Sequence, residues 1–80
     1  MHHVYILRSL SDPSRLYTGY TTCPEIRLQA HNAGECPHTS KFTPWEMPFC
    51  CSFPDKMRAL EFERYLKSHS GRAFASKHLL

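Results

Sequence analysis

The chain lacks long hydrophobic runs, and it lacks any segment that would divide it or direct it elsewhere. No run within its 80 residues approaches the roughly 18 consecutive apolar residues that a membrane helix needs. No basic and apolar leader precedes the first strand pattern, and there is no repeat, linker or low-complexity tract. The sequence therefore predicts a single domain over residues 1–80 that is cytoplasmic and makes no contact with a membrane.

A Cys-x-x-Cys pair is also absent, although the chain contains Cys23, Cys36, Cys50 and Cys51. Because nothing indicates secretion, reduced thiols are favoured over two disulfide bonds. A zinc site made by Cys36, His38 and one of Cys50 or Cys51 is the alternative. Adjacent residues of a strand point to opposite faces, however, which disfavours that zinc site.

Acidic residues are missing from the last part of the chain. The net charge of +3 arises entirely in residues 41–80, and no acid follows Arg64. Such a basic end suits contact with a phosphate backbone, and a solvated helix face would produce the same pattern. A chain this short buries little more than about 60% of its unfolded surface, so we expect a shallow surface site.

Two strand patterns open the chain, each with a tyrosine near its centre. The first, HVYILR, is apolar on both alternating faces, which is typical of a strand covered on both sides. The second, RLYTGY, follows after turn residues, so the two patterns predict a hairpin. Depending on the centre of the loop, Tyr5 lies opposite Tyr17 or opposite Tyr20. Gly19 lies on the side of Tyr17 and leaves open space beside that tyrosine.

A helix follows the hairpin. Thr22 and Glu25 have the spacing of a capping box at its start, and Gly34 is a good terminator. Arg27 and His31 are four residues apart and therefore lie on one flank of this helix. Since an arginine and a histidine do not stabilise each other there, the pair indicates a function.

A third strand and two further helices complete the predicted elements. The segment WEMPFCCSF has the composition of a strand, and Pro48 predicts either that it lies at the edge of the sheet or that it is broken there. Asp55 then caps a helix with the sequence KMRALEFERYLKSH. Gly71 is predicted to break this helix before a short basic helix begins.

Two glutamates of the KMRALEFERYLKSH helix point in different directions. At 100° per residue, Glu61 points away from the apolar stripe, whereas Glu63 lies close to it. A half-buried carboxylate needs a cation, a hydrogen bond or a proton. An ion pair with Lys67, four residues further on, is the simple explanation for Glu63. Binding of a metal ion is the functional explanation.

The ordered set of elements and side chains resembles the GIY-YIG nuclease superfamily, and in particular its small single-domain bacterial group related to excision-nuclease subunits. The first signature of that family reads Val4-Tyr5-Ile6 here, and the second reads Tyr17-Thr18-Gly19. The segments EIRLQAHNAG and ALEFERYLKS resemble the arginine helix and the glutamate helix of the family. The segments TPWE and SGRAF are similar to the single-domain members. The resemblance spans nearly the whole chain.

This resemblance implies an α/β chain of the α+β kind, in which a small three-stranded antiparallel sheet is flanked by helices in the order β-β-α-β-α-α. It implies a DNA endonuclease that hydrolyses phosphodiester bonds with Mg²⁺ or Mn²⁺ as cofactor. By position, the active-site residues are Tyr5, Tyr17, Arg27, His31 and Glu63, of which Glu63 is the metal ligand. A neighbouring arginine and metal-bound water are expected to make a tyrosine phenolate more accessible, and either tyrosine could accept the proton.

DNA is then the expected partner, approaching the sheet face that shows the tyrosines. The candidate contacts to its phosphates are the basic residues Lys41, Arg58, Arg64, Lys67, Arg72 and Lys77. Trp45 is a candidate for base stacking, although a buried anchor is the favoured interpretation. Because no helix-turn-helix, zinc finger or basic arm is present, we expect a structure-directed or weakly sequence-specific enzyme of DNA repair or processing.

A second hypothesis assigns the same fold to the chain but no catalytic activity. In this alternative the chain is a non-catalytic nucleic-acid-binding module, and its basic residues and tyrosines serve binding only. A protein partner that targets the domain, or a homodimer, is compatible with either hypothesis. The sequence leaves the oligomeric state open.

Overall fold

The computed structural model describes residues 1–80, which form three strands, three α-helices and one short 3₁₀ turn. Their bounds in chain order are β1 His2–Ser9, β2 Leu16–Thr21, α1 Pro24–Asn32, the 3₁₀ turn Ser40–Phe42, β3 Trp45–Phe53, α2 Lys56–Lys67 and α3 His69–His78. This order confirms the predicted one. No helix of the chain is both long enough and apolar enough to span a membrane.

The three strands form one antiparallel sheet in the order β2-β1-β3. The central strand β1 is buried on both faces, and β3 with its Pro48 is an edge strand, as the sequence predicts. Tyr5 lies opposite Gly19, so neither predicted register is correct. The hairpin closure explains the difference, because Ser9 N donates to the Arg15 carbonyl at 3.1 Å and this pairing centres the loop at Asp12.

Helices cover the two faces of the sheet separately. The face covered by α2 and α3, here called the α2 face, has a core of five buried apolar side chains: Val4, Ile6, Ala59, Leu66 and Ala75. Their spacing in α2, seven residues from Ala59 to Leu66, gives the apolar stripe that faces β1. Aromatic rings of β3 and α2 extend this core, with Phe62 packing against Phe49 and Phe53.

The opposite face, here called the α1 face, is covered by α1 and by the loop between α1 and β3. Its buried apolar residues are Tyr5, Leu7 and Trp45, with Tyr17 and Leu28 packed against them. Leu7 pairs with Tyr17 in the sheet, so Tyr5 and Tyr17 share this face on a diagonal. The two tyrosines thus share a face, as the alternative with Tyr5 opposite Tyr17 implied and the alternative with Tyr20 did not.

The predicted capping box at the start of α1 is wrong. The N-cap residue is Cys23, which provides no side-chain hydrogen bond to the helix. Thr21, rather than Thr22, organises the entry, because its hydroxyl accepts from Cys23 N at 3.1 Å. Pro24 at the first helical position then fixes the backbone for helix formation.

The predicted helix break at Gly71 is wrong as well. Helix α2 ends at Lys67, and Ser68 begins α3 by accepting a hydrogen bond from Gly71 N. Gly71 lies inside α3, where a Cβ atom would overlap the backbone carbonyl of Tyr65. Its role is to let the two helices approach closely rather than to end one. Asp55 caps α2 as predicted, accepting from Met57 N at 3.1 Å.

Candidate active site

Tyr5 lies at the centre of the α1 face. Its side chain is 1% exposed, and its strand partner is Gly19. A Cβ atom at Gly19 would overlap the hydroxyl and the ring of Tyr5. Gly19 therefore makes room for Tyr5. The structural role predicted for this glycine is to leave space beside Tyr17, so the tyrosine it serves is a different one.

A line of hydrogen bonds leads from Tyr5 into the interior. Tyr5 Oη lies 2.9 Å from His31 Nε2, and His31 Nδ1 lies 2.8 Å from Thr39 Oγ1. The Thr39 hydroxyl also lies 3.4 Å from the Cys36 carbonyl, to which it can donate. All four residues are buried, and none of the buried side-chain nitrogen and oxygen atoms in the protein lacks a partner.

Arg27 is held against Tyr5 through one nitrogen. Its Nε donates to Tyr5 Oη at 3.4 Å, and this hydrogen bond raises the pKa of Arg27. The terminal nitrogens of the guanidinium make no hydrogen bond within the protein, so they remain available to a ligand. A guanidinium fork matches the geometry of a phosphate.

Burial is the main cause of the pKa shifts of Tyr5 and His31. It raises the pKa of Tyr5, and the hydrogen bond from Arg27 offsets this only in part. Burial also lowers the pKa of His31, with a smaller contribution from the Arg27 cation. Arg27 lowers the pKa of Tyr5, as expected, but burial outweighs this effect in the free protein, where the neutral phenol and the neutral imidazole are favoured.

Tyr17 is the more accessible of the two tyrosines. It is half-buried, and its ring centroid lies 5.0 Å from that of His31 and 6.4 Å from that of Tyr5. Unlike Tyr5, it makes no hydrogen bond through its hydroxyl within the protein. The structure thus brings Tyr5, Tyr17, Arg27 and His31 together in one patch.

Glu63 lies on α2 and makes no hydrogen bond to that patch. Its carboxylate lies 2.7 Å from Lys67 Nζ, so the ion pair foreseen as the simple explanation is present. The carboxylate is half-buried, with 18% of the side chain exposed. Lys67, the partner of Glu63, lines a groove along the edge strand β2 together with Tyr17, and Glu63 itself does not line it.

This groove, here called the β2-edge groove, is basic. Arg15, Lys67 and Arg72 line it together with apolar residues such as Leu16 and Leu66, and no acidic residue does. Arg15 is also held over the ring of Phe42 at 4.5 Å. Two of the predicted phosphate contacts, Lys67 and Arg72, are thus grouped beside Tyr17, and Arg15 joins them without having been predicted.

The other predicted phosphate contacts are dispersed. Lys41 lies in the 3₁₀ turn, Arg58 and Arg64 on α2, and Lys77 near the end of α3, and all four are exposed. Trp45 is 4% exposed, which confirms the buried anchor and excludes stacking on a base in this conformation. Its indole N–H donates to the Thr39 carbonyl at 2.9 Å.

Three residues support the site in a way that the sequence did not indicate. Thr39 and Cys36 continue the hydrogen bonds of His31, and the side-chain amide of Asn32 bonds both the N–H and the carbonyl of Trp45, at 2.6 and 3.2 Å. They join the end of α1 to the loop and to β3. Their spacing carries no periodic signal, because the contacts depend on the path of the loop.

The four cysteines are free. Cys51 packs against the α2 face, while the exposed Cys50 has its sulfur 4.0 Å from His3 Nδ1, so the two adjacent thiols do point apart. No group of three or more histidine, cysteine, aspartate or glutamate side chains lies together in residues 1–80. The residues proposed for a zinc site are therefore not gathered in this structure.

Two tyrosines, an arginine and a histidine on one face of a three-stranded antiparallel sheet, with a half-buried glutamate on the helix beyond its edge strand, define the fold and the polar site of a nuclease-type catalytic domain. The chain belongs to the GIY-YIG family, since the model of the GIY-YIG catalytic domain matches residues 1–77.

Individual relatives agree with this assignment. A UPF0213 protein of Haloquadratum walsbyi is 43% identical over 70 residues, covering 86% of this chain and 76% of that protein. The structure-specific endonuclease subunit SLX1 of Debaryomyces hansenii is 43% identical over 72 residues, covering 80% of this chain. The chain spans only 20% of the length of that fungal protein.

A solved structure supports the fold. The solution structure of a UPF0213 protein from Bacillus halodurans superimposes with a TM-score of 0.57 at 29% identity. The superposition covers 98% of this chain and 85% of the other. The three-stranded α+β architecture is therefore the one found in this group.

Proposed function

We propose that the chain is a divalent-metal-dependent DNA endonuclease that acts in the cytoplasm on DNA selected by its structure, in repair or processing. The observation that carries this proposal is the grouping of Arg27, Tyr5, Tyr17 and His31 on the α1 face. The name of the Debaryomyces relative, a structure-specific endonuclease subunit, supports both the structural selectivity and a partner protein.

Arg27 is proposed to bind the scissile phosphate. Tyr5 occupies its Nε, and the free terminal nitrogens can each donate to a phosphate oxygen. A cation fixed in advance stabilises the charge that develops on the phosphoryl oxygens without reorganising during the reaction. Tyr5 and His31 act on the substrate through Arg27, because their own polar atoms are already paired.

Tyr17 is proposed to orient the attacking water. It is the tyrosine with a hydroxyl free of protein partners, and it borders both the patch around Arg27 and the β2-edge groove. A hydroxyl in this position can accept a hydrogen bond from a water molecule and direct its lone pair at the phosphorus. The assignment separates the two tyrosines, with Tyr5 as support and Tyr17 in contact with the reactants.

Glu63 is proposed to hold the Mg²⁺ or Mn²⁺ ion. The donor set fits such a hard cation, since Mg²⁺ binds through one or two carboxylates and keeps several of its waters. When bound, the metal supplies a Lewis acid for the phosphoryl oxygen and for the leaving group. Lys67 neutralises the Glu63 carboxylate in the free protein, at 2.7 Å, and a half-buried charge there would otherwise be costly.

The β2-edge groove is proposed to guide the DNA backbone to the site. Its cations beside Tyr17 are Arg72, which has no ion pair within the protein, and Arg15 and Lys67, which are paired with Asp12 and Glu63 in the free protein. The dispersed cations Lys41, Arg58, Arg64 and Lys77 add weaker, non-specific attraction. Contacts to phosphates carry no sequence information, so selection by DNA structure or by a partner follows.

Nicking of supercoiled plasmid in Mg²⁺ or Mn²⁺ tests the proposal. The parent protein should nick the plasmid, and Glu63→Gln and Arg27→Ala should reduce nicking to the background. Glu61→Gln is the matched control for Glu63, because it removes the same charge from an exposed position of the same helix. It should nick like the parent.

Two other results would contradict the proposal. Equal nicking by the parent, Glu63→Gln and Arg27→Ala would mean that a contaminating nuclease is responsible. DNA binding without nicking by the parent would favour the alternative, a nucleic-acid-binding module on the same fold. The β2-edge groove supports this alternative, because its basic lining residues can bind phosphates without a metal.

A further inference from the structure

The side chain of Thr39 lies at the inner end of the hydrogen bonds that start at Arg27. It is 1% exposed, eight residues beyond His31, in the loop that closes the α1 face. Its hydroxyl bonds His31 on one side and the Cys36 carbonyl on the other, and its own carbonyl accepts from the Trp45 indole at 2.9 Å. The loop is thereby tied to β3 on the side away from His31.

The directions of these hydrogen bonds follow from the donors and acceptors present. Tyr5 Oη accepts from Arg27 Nε, so its own proton needs an acceptor in a buried position. His31 Nε2, at 2.9 Å, is the acceptor in reach. A neutral imidazole that accepts at Nε2 carries its proton at Nδ1, and this proton points to Thr39 Oγ1 at 2.8 Å. Thr39 in turn donates to the Cys36 carbonyl.

We infer that Thr39 is a positioning residue, which sets the tautomer of His31 and through it the orientation of Tyr5 and Arg27. Every donor in the series points the same way, from the Arg27 guanidinium to the Cys36 carbonyl. The carbonyl can only accept, so it fixes the direction of the Thr39 hydroxyl, and the hydroxyl fixes the imidazole. This inference rests on the proposed function only for the consequence at Arg27, since the tautomer is a property of the free protein.

Loss of the Thr39 hydroxyl should move the ring proton of His31 from Nδ1 to Nε2. Without an acceptor at Nδ1, a proton on that buried ring nitrogen has no partner; at Nε2 it donates to Tyr5 and passes the unpaired proton to the phenol, whose hydroxyl can rotate. Tyr5 then receives two donors, and its own proton has no partner. The simplest relief is for the phenol to turn away from Arg27, which releases the guanidinium from its fixed position.

The groups that act on the charge of His31 come from three elements. Tyr5 on β1 and Tyr17 on β2 face the ring, and Arg27 lies one turn earlier on α1. Of these, only Arg27 is a cation, and no carboxylate contacts the ring. The neutral imidazole is thus the form that its surroundings favour.

Long-range ¹H–¹⁵N NMR spectra of the imidazole rings test the inference without any substrate. In the parent protein, His31 should show a protonated Nδ1 and an unprotonated Nε2, with the signals assigned by their loss in His31→Gln. Thr39→Val, which has nearly the same shape as threonine, should reverse this pattern. Thr39→Ser should restore the parent pattern, because it keeps the hydroxyl. An unchanged tautomer in folded Thr39→Val overturns the inference.

Nicking assays separate this inference from the proposed function. Thr39→Val should lose about tenfold in kcat, the rate equivalent of one unmade buried hydrogen bond, while Thr39→Ser stays near the parent. A reversed tautomer with full nicking would overturn the link to Arg27. No nicking by the parent would refute the proposed function, whereas the tautomer result would still decide the role of Thr39. If Thr39→Val fails to fold, the spectrum of the parent alone decides, since a proton at Nε2 contradicts the assignment.

Discussion

On the α2 face of the sheet, five buried side chains contain no polar atom; on the α1 face, Tyr5, His31 and Thr39 are buried just as deeply and are joined by hydrogen bonds. Both faces use the same central strand, whose successive residues alternate between them. The difference shows how 80 residues can hold a reactive site and remain folded. One face supplies apolar burial, and the other uses paired polar groups that stabilise less per residue.

Truncation within the apolar core should have the largest effect on stability. Leu66→Ala on the α2 face should lower the free energy of unfolding by about 3 kcal/mol, the loss of buried area plus a cavity. Urea unfolding monitored by circular dichroism measures this change. Below the unfolding transition, nicking should fall only modestly, because Leu66 lines the β2-edge groove but offers no polar group to the reaction. Loss of nicking by the folded variant would show that the two faces are not separate.

On the α1 face, a substitution that keeps the positive charge should reduce activity and leave stability nearly unchanged. Arg27→Lys should reduce kcat about a hundredfold, because a lysine cannot bond Tyr5 and present two further donors to a phosphate. Its stability should remain close to that of the parent, since Arg27 is only partly buried. Nicking rates and urea unfolding, compared side by side, measure both. A variant that loses stability and keeps its rate would reverse the roles assigned to the faces.

Gly19→Ala tests the contact between the strands of the α1 face. The added methyl group overlaps the Tyr5 hydroxyl, so the variant should lose about 2 kcal/mol of stability and also nick more slowly. Gly34→Ala is the comparison, because Gly34 has a φ of 78° and open space around it. That change should cost about 1 kcal/mol through backbone strain and leave nicking unchanged. Equal nicking by the two variants would argue against the overlap.

The smallest predicted effect is a dependence of stability on pH. Burial lowers the pKa of His31 in the folded protein, so the unfolded chain binds a proton first as the pH falls. The stabilisation is complete above about pH 6.5, the ordinary histidine value, and is lost progressively at lower pH. The slope from one proton is at most about 1.4 kcal/mol per pH unit. Urea unfolding at pH 7.5, 6.5 and 5.5 should show this slope in the parent and a reduced one in His31→Gln.

Much of the fold follows from local patterns in the sequence. Alternation places Tyr17 and Gly19 on one face of β2, and Pro48 predicts that β3 is an edge strand or is broken. The pairing register could not be derived, because it depends on where the backbone closes the hairpin, at the bond from Ser9 N to the Arg15 carbonyl. A shift by one residue was enough to make Gly19, not a tyrosine, the neighbour of Tyr5.

For the site, the sequence could predict only the relative positions of residues within a single helix or strand. Arg27 and His31 could be placed on one flank of a helix, and Glu63 beside the apolar stripe of another, with Lys67 as its partner. Thr39 could not, because a threonine in a loop carries no spacing signal. Its role comes from the fold of the loop against β3 and from the deep burial that makes its hydroxyl matter.

The hydrogen bond between Trp45 and the Thr39 carbonyl has a practical consequence. Trp45 is the one tryptophan of the chain, and Thr39, which it bonds, also bonds His31. All indole fluorescence therefore originates close to the His31 ring, with Thr39 between the two side chains. An emission shift on adding DNA or Mn²⁺ would therefore report a disturbance of this loop, with no dye attached. The protein contains its own optical reporter for the part of the molecule where the chemistry is proposed to occur.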